Sequence, residues 1–189
     1  MTVLRKSQQE HTRSFERAYL GGWRPEPTTH HRLIYRAKPD FKKRGIEKIL
    51  DVGCGRGLVV VEMMRDGFDV TGTEIVPCLL SRELKRLPVL PYNVGGLGQF
   101  DDNEFDLVLM VDLLDYLRDE QDVDLALGHA NRLARQGIIV TLGGDSPHQC
   151  IKEEREWWRG KLGNSIEFPM ETATCDGGVC RYTFWRPSE

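Results

Sequence analysis

The sequence predicts an α/β protein built on a doubly wound, mostly parallel sheet. Residues 48–74 (KILDVGCGRGLVVVEMMRDGFDVTGTE) predict, in order, a short apolar strand, a glycine turn, a helix and a second strand, which is the repeating unit of such a sheet. A buried strand at Phe105–Val111 and an amphipathic helix at residues 119–135 continue the alternation. Two strands near the C-terminus, separated by a glycine pair, predict an antiparallel hairpin.

Length and composition fit one globular domain. The chain has 189 residues, 40% of them hydrophobic and 29% charged, with a net charge of −3, an ordinary balance for a single folded unit. No lysine- or arginine-rich block dominates, so bulk electrostatics do not suggest duplex DNA or a membrane surface as a partner. The apolar runs are shorter than a membrane span and the N-terminus is polar, so we expect a cytoplasmic protein without membrane contact.

The first unit carries its polar groups where such sheets bind ligands. Strand Lys48–Val52 is followed by glycines at positions 53, 55 and 57, which permit a tight turn that brings backbone N–H groups close to a ligand. The helix Leu58–Arg65 has an apolar face and stops at an Asp-Gly pair. The second strand ends at Glu74, roughly twenty residues after the glycines, where a doubly wound sheet places a carboxylate on ribose hydroxyls.

The spacing of the glycines distinguishes two kinds of nucleotide site. A dinucleotide fingerprint, G-x-G-x-x-G, would need glycine at position 58, which is leucine. The pattern present is D-x-G-x-G-x-G, which resembles motif I of the class I S-adenosylmethionine (SAM)-dependent methyltransferases, and Glu74 matches the acid that this family places on the ribose of SAM. SAM carries a cationic sulfonium where a dinucleotide carries a pyrophosphate, and a leading carboxylate suits that positive end.

The resemblance implies that SAM is the cofactor and S-adenosylhomocysteine (SAH) the product. It assigns cofactor contacts in this unit to Asp51, Gly53, Cys54, Gly55, Gly57 and Glu74. The alternative is that the glycines form only a turn before a packed helix.

The middle of the chain extends the resemblance. We expect a helix over residues 77–87 and a third strand at 88–92, which its prolines confine to the edge of the sheet. In the family a polar residue after strand three meets the adenine, and Asn93 stands there in place of the usual aspartate, followed by Val94. An amide can both donate to and accept from an adenine edge. Asp112 and Leu113 follow the fourth strand, at the end where open α/β sheets bind ligands.

The remaining elements complete a seven-stranded sheet. After the helix at residues 119–135 we expect a fifth strand at 137–141, a polar helix at 149–162 and strands at 165–170 and Val179–Trp185. The last two strands fit the antiparallel hairpin that ends the seven-stranded sheet of the family.

The segment before the first strand is expected to form a short helical cap. Residues 1–44 are assigned to this cap or lid and residues 45–189 to the SAM-binding domain. In the family such segments fold over the cofactor and help to form the acceptor site, which makes Tyr19 and Trp23 candidate lid aromatics. The alternative is that both cover the sheet edge or the core. His30 and His31 can also reach the pocket from the cap, although adjacent histidines are usually exposed.

Three side chains at strand ends are candidate catalytic bases. Methyl transfer from a sulfonium is an in-line displacement that needs alignment first, and a base only where the acceptor keeps its proton until late. Asp112 and Asp115 follow the fourth strand, and His148 follows the fifth. Alternatively, Asp112 contacts SAM or caps the next helix, Asp115 is a solvated acid at a helix start, and His148 is a surface loop histidine.

The residues after the fourth strand narrow the acceptor class. Amino-methylating DNA enzymes carry [D/N]-P-P-[Y/F] there, where this chain has Asp-Leu-Leu-Asp. Cytosine-C5 methyltransferases carry a Pro-Cys nucleophile at the same place, whereas the Pro-Cys pair of this chain, at 77–78, follows the second strand. We therefore expect a small-molecule acceptor, with a protein or peptide side chain as the alternative and nucleic acid disfavoured. The competing hypothesis from another class is a module or partner subunit that binds SAM or SAH without transferring a methyl group.

The five cysteines are scattered along the chain and predict structural thiols. Cys175 and Cys180 face each other across a hairpin with Gly177 and Gly178 at its tip. An odd number of cysteines argues against a secreted disulfide framework, and no further ligands stand at zinc spacing, so we expect no metal site.

Overall fold

A seven-stranded sheet forms the centre of the protein, in a computed structural model that describes residues 6–22, 27–81 and 84–187. Its strands are, in chain order, β1 (Lys48–Val52), β2 (Asp69–Thr73), β3 (Val89–Leu90), β4 (Phe105–Val111), β5 (Ala134–Gly143), β6 (Met170–Asp176) and β7 (Val179–Trp185). They lie in the order β3-β2-β1-β4-β5-β7-β6. Pairing is parallel from β3 to β5, and β7 runs antiparallel to both β5 and β6. The predicted mostly parallel sheet with a C-terminal antiparallel hairpin is confirmed.

Helices cover both faces of the sheet. In the described part of the chain they are α1 (Lys6–Leu20), α2 (Thr29–Tyr35), α3 (Lys38–Lys43), α4 (Leu58–Arg65), α5 (Pro77–Ser81), α6 (Glu120–Leu133) and α7 (Arg155–Ser165). Successive residues of β4 point to opposite faces, so that Val108 packs with α6 and α7, and Leu107 packs with α2 to α5. All seven residues of β4 are buried, as expected for a central strand covered on both sides.

The strand order positions a ligand site. β1 pairs with β2 on one side and with β4 on the other, so the direction of winding reverses between β1 and β4. Open α/β sheets bind ligands in the crevice outside the carboxyl ends of the strands at this point. Val52 pairs with Thr73, which places the turn after β1 beside Glu74 after β2.

Several element boundaries differ from the predictions. β6 begins at Met170 instead of spanning residues 165–170, because α7 continues to Ser165, and Ile166 and Phe168 then enter the core in a connection without strand pairing. α7 itself begins at Arg155, later than the predicted residue 149. The predicted helix over residues 77–87 is shorter, since residues 84–88 form turns and bends.

The N-terminal helices have two kinds of environment. α2 and α3 contribute Ile34 and Phe41, both fully buried, to the apolar layer beside β1 and β4. α3 was not predicted, although a proline in its first turn is a typical helix-start signal. α1 lies outside this layer, with Phe15 and Tyr19 only partly buried against it.

The C-terminal hairpin brings two cysteines together as predicted. Cys175 pairs directly with Cys180 across β6 and β7, and the structure joins them in a disulfide where the sequence predicted two thiols. Their Cα atoms are 4.1 Å apart, close enough for the bond to form without backbone movement. Cys54, Cys78 and Cys150 take no part in this disulfide. No helix within the described ranges is long and apolar enough to cross a membrane.

Candidate functional site

The turn after β1 forms one wall of a pocket at the carboxyl ends of β1, β2 and β4. Gly53, Gly55 and Gly57 have φ angles of 68°, 53° and 73°, a region that L-residues with a Cβ rarely adopt. A Cβ at Gly55 would also lie 2.9 Å from Tyr19 Oη, and one at Gly53 would lie 2.6 Å from Leu113 Cδ1. Gly53 and Gly55 line the pocket, whereas Gly57 lies behind it as the N-cap of α4.

Glu74 borders the pocket from the end of β2. Its Oε2 accepts the N–H of Gly55 at 2.9 Å, and its Oε1 accepts the N–H groups of Ile75 and Val76 at 2.7 and 2.9 Å. Burial raises the pKa of this carboxyl, and the three N–H donors act in the opposite direction. Because a carboxylate offers about four acceptor positions, Glu74 retains capacity to accept a ligand hydroxyl beside the glycine turn.

Asp51 lies beneath the turn and does not line the pocket. It is only 1% exposed, and its Oδ1 has no hydrogen-bond partner among the described residues. Burial, and after it the negative charge of Glu74, raises the pKa of Asp51 to about 8. The neutral carboxyl therefore predominates at neutral pH, in contrast to the ionised group expected to face a positive ligand. Cys54 does line the pocket, and burial raises the pKa of its thiol well above the usual range.

Asn93 and Val94 line the pocket beyond Glu74, next to β3. Asn93 Oδ1 accepts the N–H of Gly96 at 2.9 Å and caps the 3₁₀ segment Val94–Gln99. The amide oxygen is thus used locally, which leaves the NH₂ group as the part of Asn93 that suits an acceptor atom on a ligand. Leu113 packs over Gly53 and closes the pocket on the β4 side.

A buried contact joins the end of β4 to α2. Asp112 lines the pocket and has a φ of 56°, a strained conformation for a residue other than glycine. Its Oδ1 lies 3.3 Å from His30 Nε2, and His30 Nδ1 lies 2.9 Å from Thr141 Oγ1. The Asp112 N–H donates to Thr141 Oγ1 at 3.0 Å. The Thr141 hydroxyl accepts the Asp112 N–H and can donate its own hydrogen to His30 Nδ1, while His30 Nε2 lies at ion-pair distance from the Asp112 carboxyl.

This network changes two of the predictions. His30 was expected to be exposed, and the structure buries it at 5% exposure. Asp112 does not cap the following helix, because Asp119 does so by accepting the N–H of Asp122 at 2.9 Å. His31, by contrast, lines the pocket, with its Nδ1 accepting the N–H of Thr28 at 3.0 Å.

One side of α1 lies over the pocket. His11, Phe15 and Tyr19, spaced four residues apart and therefore on one side of the helix, all line it. The Tyr19 carbonyl accepts Arg56 Nη2 at 3.1 Å, and the guanidinium carbon lies 5.4 Å from the Tyr19 ring centroid. Of the two candidate lid aromatics, Tyr19 is therefore at the pocket, and Trp23 lies outside the described residues.

The other two candidate bases do not line the pocket. Asp115 is not solvated as expected but 2% exposed, and its Oδ2 accepts Gln149 Nε2 at 2.6 Å. Its carbonyl accepts the N–H groups of Cys150 and Ile151, so Asp115 holds the loop after β5. His148 packs on Phe15, with ring centroids 6.3 Å apart. The assignment of Asp115 and His148 as catalytic bases stays a prediction.

Sequence reasoning missed several pocket residues after β4. Tyr116, Arg118 and Asp122 line the pocket, and Arg118 forms a fork with Asp122, with Nε and Nη2 at 2.7 and 2.9 Å from its two carboxylate oxygens. The spacing of Arg118 and Asp122 by four residues was the available signal. Among the described residues no group of three or more His, Cys, Asp or Glu side chains is placed to hold a metal ion.

Comparisons with known proteins agree with this geometry. Residues 50–141 match a family model described as a methyltransferase domain. The chain is 30% identical over 120 residues to the magnesium-protoporphyrin O-methyltransferase of Rhodobacter capsulatus, covering 61% of this chain and 51% of that protein. It is 36% identical over 99 residues to the ubiquinone biosynthesis O-methyltransferase of Paramagnetospirillum magneticum, covering 49% of this chain and 38% of that protein. The chain thus spans about half or less of the length of these curated relatives.

Solved structures show the same fold over the whole chain. The 1,6-didemethyltoxoflavin-N1-methyltransferase of Burkholderia thailandensis, with bound 1,6-didemethyltoxoflavin and SAH, superposes with a TM-score of 0.73 at 15% identity, covering 100% of this chain and 93% of that chain. The magnesium protoporphyrin IX methyltransferase of Synechocystis, with bound SAM, gives a TM-score of 0.70 at 14% identity, covering 99% of this chain and 100% of that chain. The fold is therefore that of the class I methyltransferases. The stretch that matches the methyltransferase-domain model, residues 50–141, includes the glycine turn after β1 and the end of β4.

Proposed function

We propose that this protein transfers a methyl group from SAM to a small-molecule acceptor. The observation that carries the proposal is the pairing of Glu74 with the glycine turn. Glu74 Oε2 lies 2.9 Å from Gly55 N, at the adjoining carboxyl ends of β1 and β2. A doubly wound sheet binds the ribose hydroxyls of a nucleoside with an acid at this position.

The residues present fit SAM along the length of the pocket. Glu74 would accept the ribose hydroxyls, and the backbone of Gly53 and Gly55, where a Cβ would collide with Leu113 or Tyr19, would approach the amino-acid end. Asn93 and Val94 would contact the adenine from the β3 side, with Leu113 packing from the β4 side.

Asp112 is the residue that we assign to proton transfer where the acceptor needs a base. SAM, when bound, supplies an electrophilic methyl group on its sulfonium. Asp112 lines the pocket at the end of β4, and His30 Nε2 at 3.3 Å fixes the orientation of its Oδ1. A carboxylate held in this way can accept a proton from an acceptor hydroxyl or amine. The pair of Asp112 and His30 favours a catalytic methyltransferase over a module that only binds SAM.

The position of α1 favours a small acceptor over a protein or peptide. We infer that α1 acts as the lid, because His11, Phe15 and Tyr19 cover the pocket from one side. A side chain presented by a folded protein would have to pass this helix. The relatives in the comparisons are named for magnesium protoporphyrin, ubiquinone biosynthesis and 1,6-didemethyltoxoflavin, which are small-molecule chemistries.

Calorimetric titration with SAM and SAH, with NAD as control ligand, tests the proposal. We expect both SAM and SAH to bind the wild type. Glu74→Gln, which keeps the volume of the side chain, should weaken both by about 1–3 kcal/mol through loss of charge-assisted hydrogen bonds. Glu47→Gln changes an exposed glutamate and serves as the matched control. Binding of NAD without binding of SAM or SAH would contradict the proposal, and an unaltered affinity in Glu74→Gln would remove Glu74 from the site.

A further inference from the structure

We infer that the methyl acceptor is a planar aromatic compound that binds between the inner side of α1 and the carboxyl end of β4. This inference rests on the proposed function and names the substrate class of the same site. It follows from where the pocket residues lie along the sheet and from what they offer a ligand.

The sheet order separates the two ends of the pocket. Glu74 and Asn93 follow β2 and β3, so the nucleoside end lies on that side of β1. β4 lies on the other side of β1, and the part of the pocket that is lined by residues after β4 remains for the acceptor. Asp112, which we assign to proton transfer, follows β4 and is tied to Thr141 of β5.

α1 crosses from one end of the pocket to the other. Tyr19 sits on the glycine turn, with its Oη 2.9 Å from the position of a Cβ on Gly55. One turn earlier, the Phe15 ring lies 5.9 Å from the Tyr116 ring, after β4, and 6.3 Å from the His148 ring, after β5. His11 continues the same line, with its ring 4.8 Å from that of Phe15. The acceptor end of the pocket is therefore covered by rings.

These rings meet edge to face, and the ionisable groups beside them leave the acceptor end of the pocket without net charge. His11 and Phe15 are inclined at 81°, and Phe15 and Tyr116 at 65°, which are arrangements that aromatic side chains favour and that a further ring can extend. Burial lowers the pKa of His11, so its imidazole is neutral at neutral pH. The guanidinium of Arg118 is compensated by its fork with Asp122. A planar ring can add to these edge-to-face contacts, whereas an aliphatic acceptor gains no ring contact.

The reaction that follows is methylation of a hydroxyl or amino group on the ring. The bond between the methyl carbon and the sulfonium sulfur breaks, a bond from that carbon to the acceptor oxygen or nitrogen forms, and the sulfur keeps the electron pair as a thioether. The acceptor proton passes to the carboxylate of Asp112. An aromatic hydroxyl gives up its proton near pH 10, far more readily than an aliphatic alcohol, so it suits a carboxylate as base.

Probe binding to the SAH-loaded protein tests the inference. Catechol and trans-cyclohexane-1,2-diol have the same ring size and adjacent hydroxyl groups, but only catechol is planar and aromatic. Titrations followed by saturation-transfer NMR should show catechol binding and little or no binding of the diol. Phe15→Leu should weaken catechol about fivefold, within the range of a lost ring contact, and leave SAH affinity unchanged. Phe15→Tyr should retain catechol affinity, and Leu20→Ala, on an exposed position of the same helix, is the control.

The outcomes separate the inference from the proposed function. Equal binding of the two probes, absence of catechol binding to SAH-loaded protein, or unchanged catechol affinity in Phe15→Leu would each overturn the aromatic acceptor while SAH binding stands. The same loss of catechol affinity in Phe15→Leu and Leu20→Ala would show a general effect on α1 and would also overturn it. Failure of the wild type to bind SAH at all would instead contradict the proposed function, and the inference would fall with it.

Discussion

The buried carboxyl of Asp51 should make the stability of this protein fall as the pH rises through neutrality. In the folded protein the pKa of Asp51 is about 8, and in the unfolded chain it returns to its ordinary value of 3.8. Between these values the folded state holds one proton more than the unfolded state. The free energy of unfolding therefore decreases with pH, the opposite of the usual behaviour of a carboxylate in an ion pair.

The size of the effect follows from the same two values. One pH unit changes the free energy of unfolding by up to about 1.4 kcal/mol for one proton. From about pH 6 to about pH 7.5 the loss is about 2 kcal/mol, because Asp51 is largely protonated in the fold over this interval. Asp51→Asn replaces the neutral carboxyl with an amide of similar size that does not titrate. The variant should lack this loss and should gain stability relative to the wild type as the pH rises.

Urea unfolding of both proteins at these two pH values measures the difference. The other titratable groups are common to wild type and variant, so their contribution cancels in the comparison. Asp69→Asn, at an exposed carboxyl that begins the neighbouring strand β2, should parallel the wild type and is the control. A stability difference between wild type and Asp51→Asn that stays constant across the interval would show that Asp51 is already ionised in the fold and would refute the reasoning.

Two further substitutions probe the walls of the pocket. Gly55→Ala should lower the free energy of unfolding by about 1–2 kcal/mol because of the positive φ angle, which urea unfolding measures. It should also weaken SAH binding in calorimetry, since the new Cβ lies 2.9 Å from Tyr19 Oη. An unaltered SAH affinity would show that this wall does not contact the ligand. His30→Asn should lower stability by about 1–3 kcal/mol, because it leaves the buried Asp112 without its 3.3 Å contact. His30→Gln, which reaches Asp112, should lower stability less than His30→Asn does in thermal unfolding. An equal loss of stability in both variants would contradict the contact.

The sequence predicted the parts of the site that depend on local structure. The turn at Gly53 and Gly55 is set by backbone conformations that only nearby glycines allow, and Glu74 follows from the length of one helix and one strand. The central strand Phe105–Val111 was predicted with its observed bounds, since both of its faces are buried and its apolar run is unbroken. The seven-stranded sheet with its C-terminal hairpin was predicted from the family resemblance.

The parts of the site that depend on distant contacts were not predictable in this way. His30 is 111 residues from Thr141, and nothing in the local sequence of α2 indicates that they meet. Asp115 resembles a solvated acid at a helix start, yet the loop after β5 folds back to it through Gln149. β6 was misplaced because Ile166 and Phe168 carry the alternating pattern of a strand while they fill the core from an unpaired connection.

The helix α2 is held firmly beside the proposed ligand site. It is fixed to the ends of β4 and β5 by the buried contacts of His30 with Asp112 and Thr141. Its release would expose a buried charge and an apolar surface together. We therefore infer that α2 stays in place when cofactor and acceptor bind, and that it keeps Asp112 oriented.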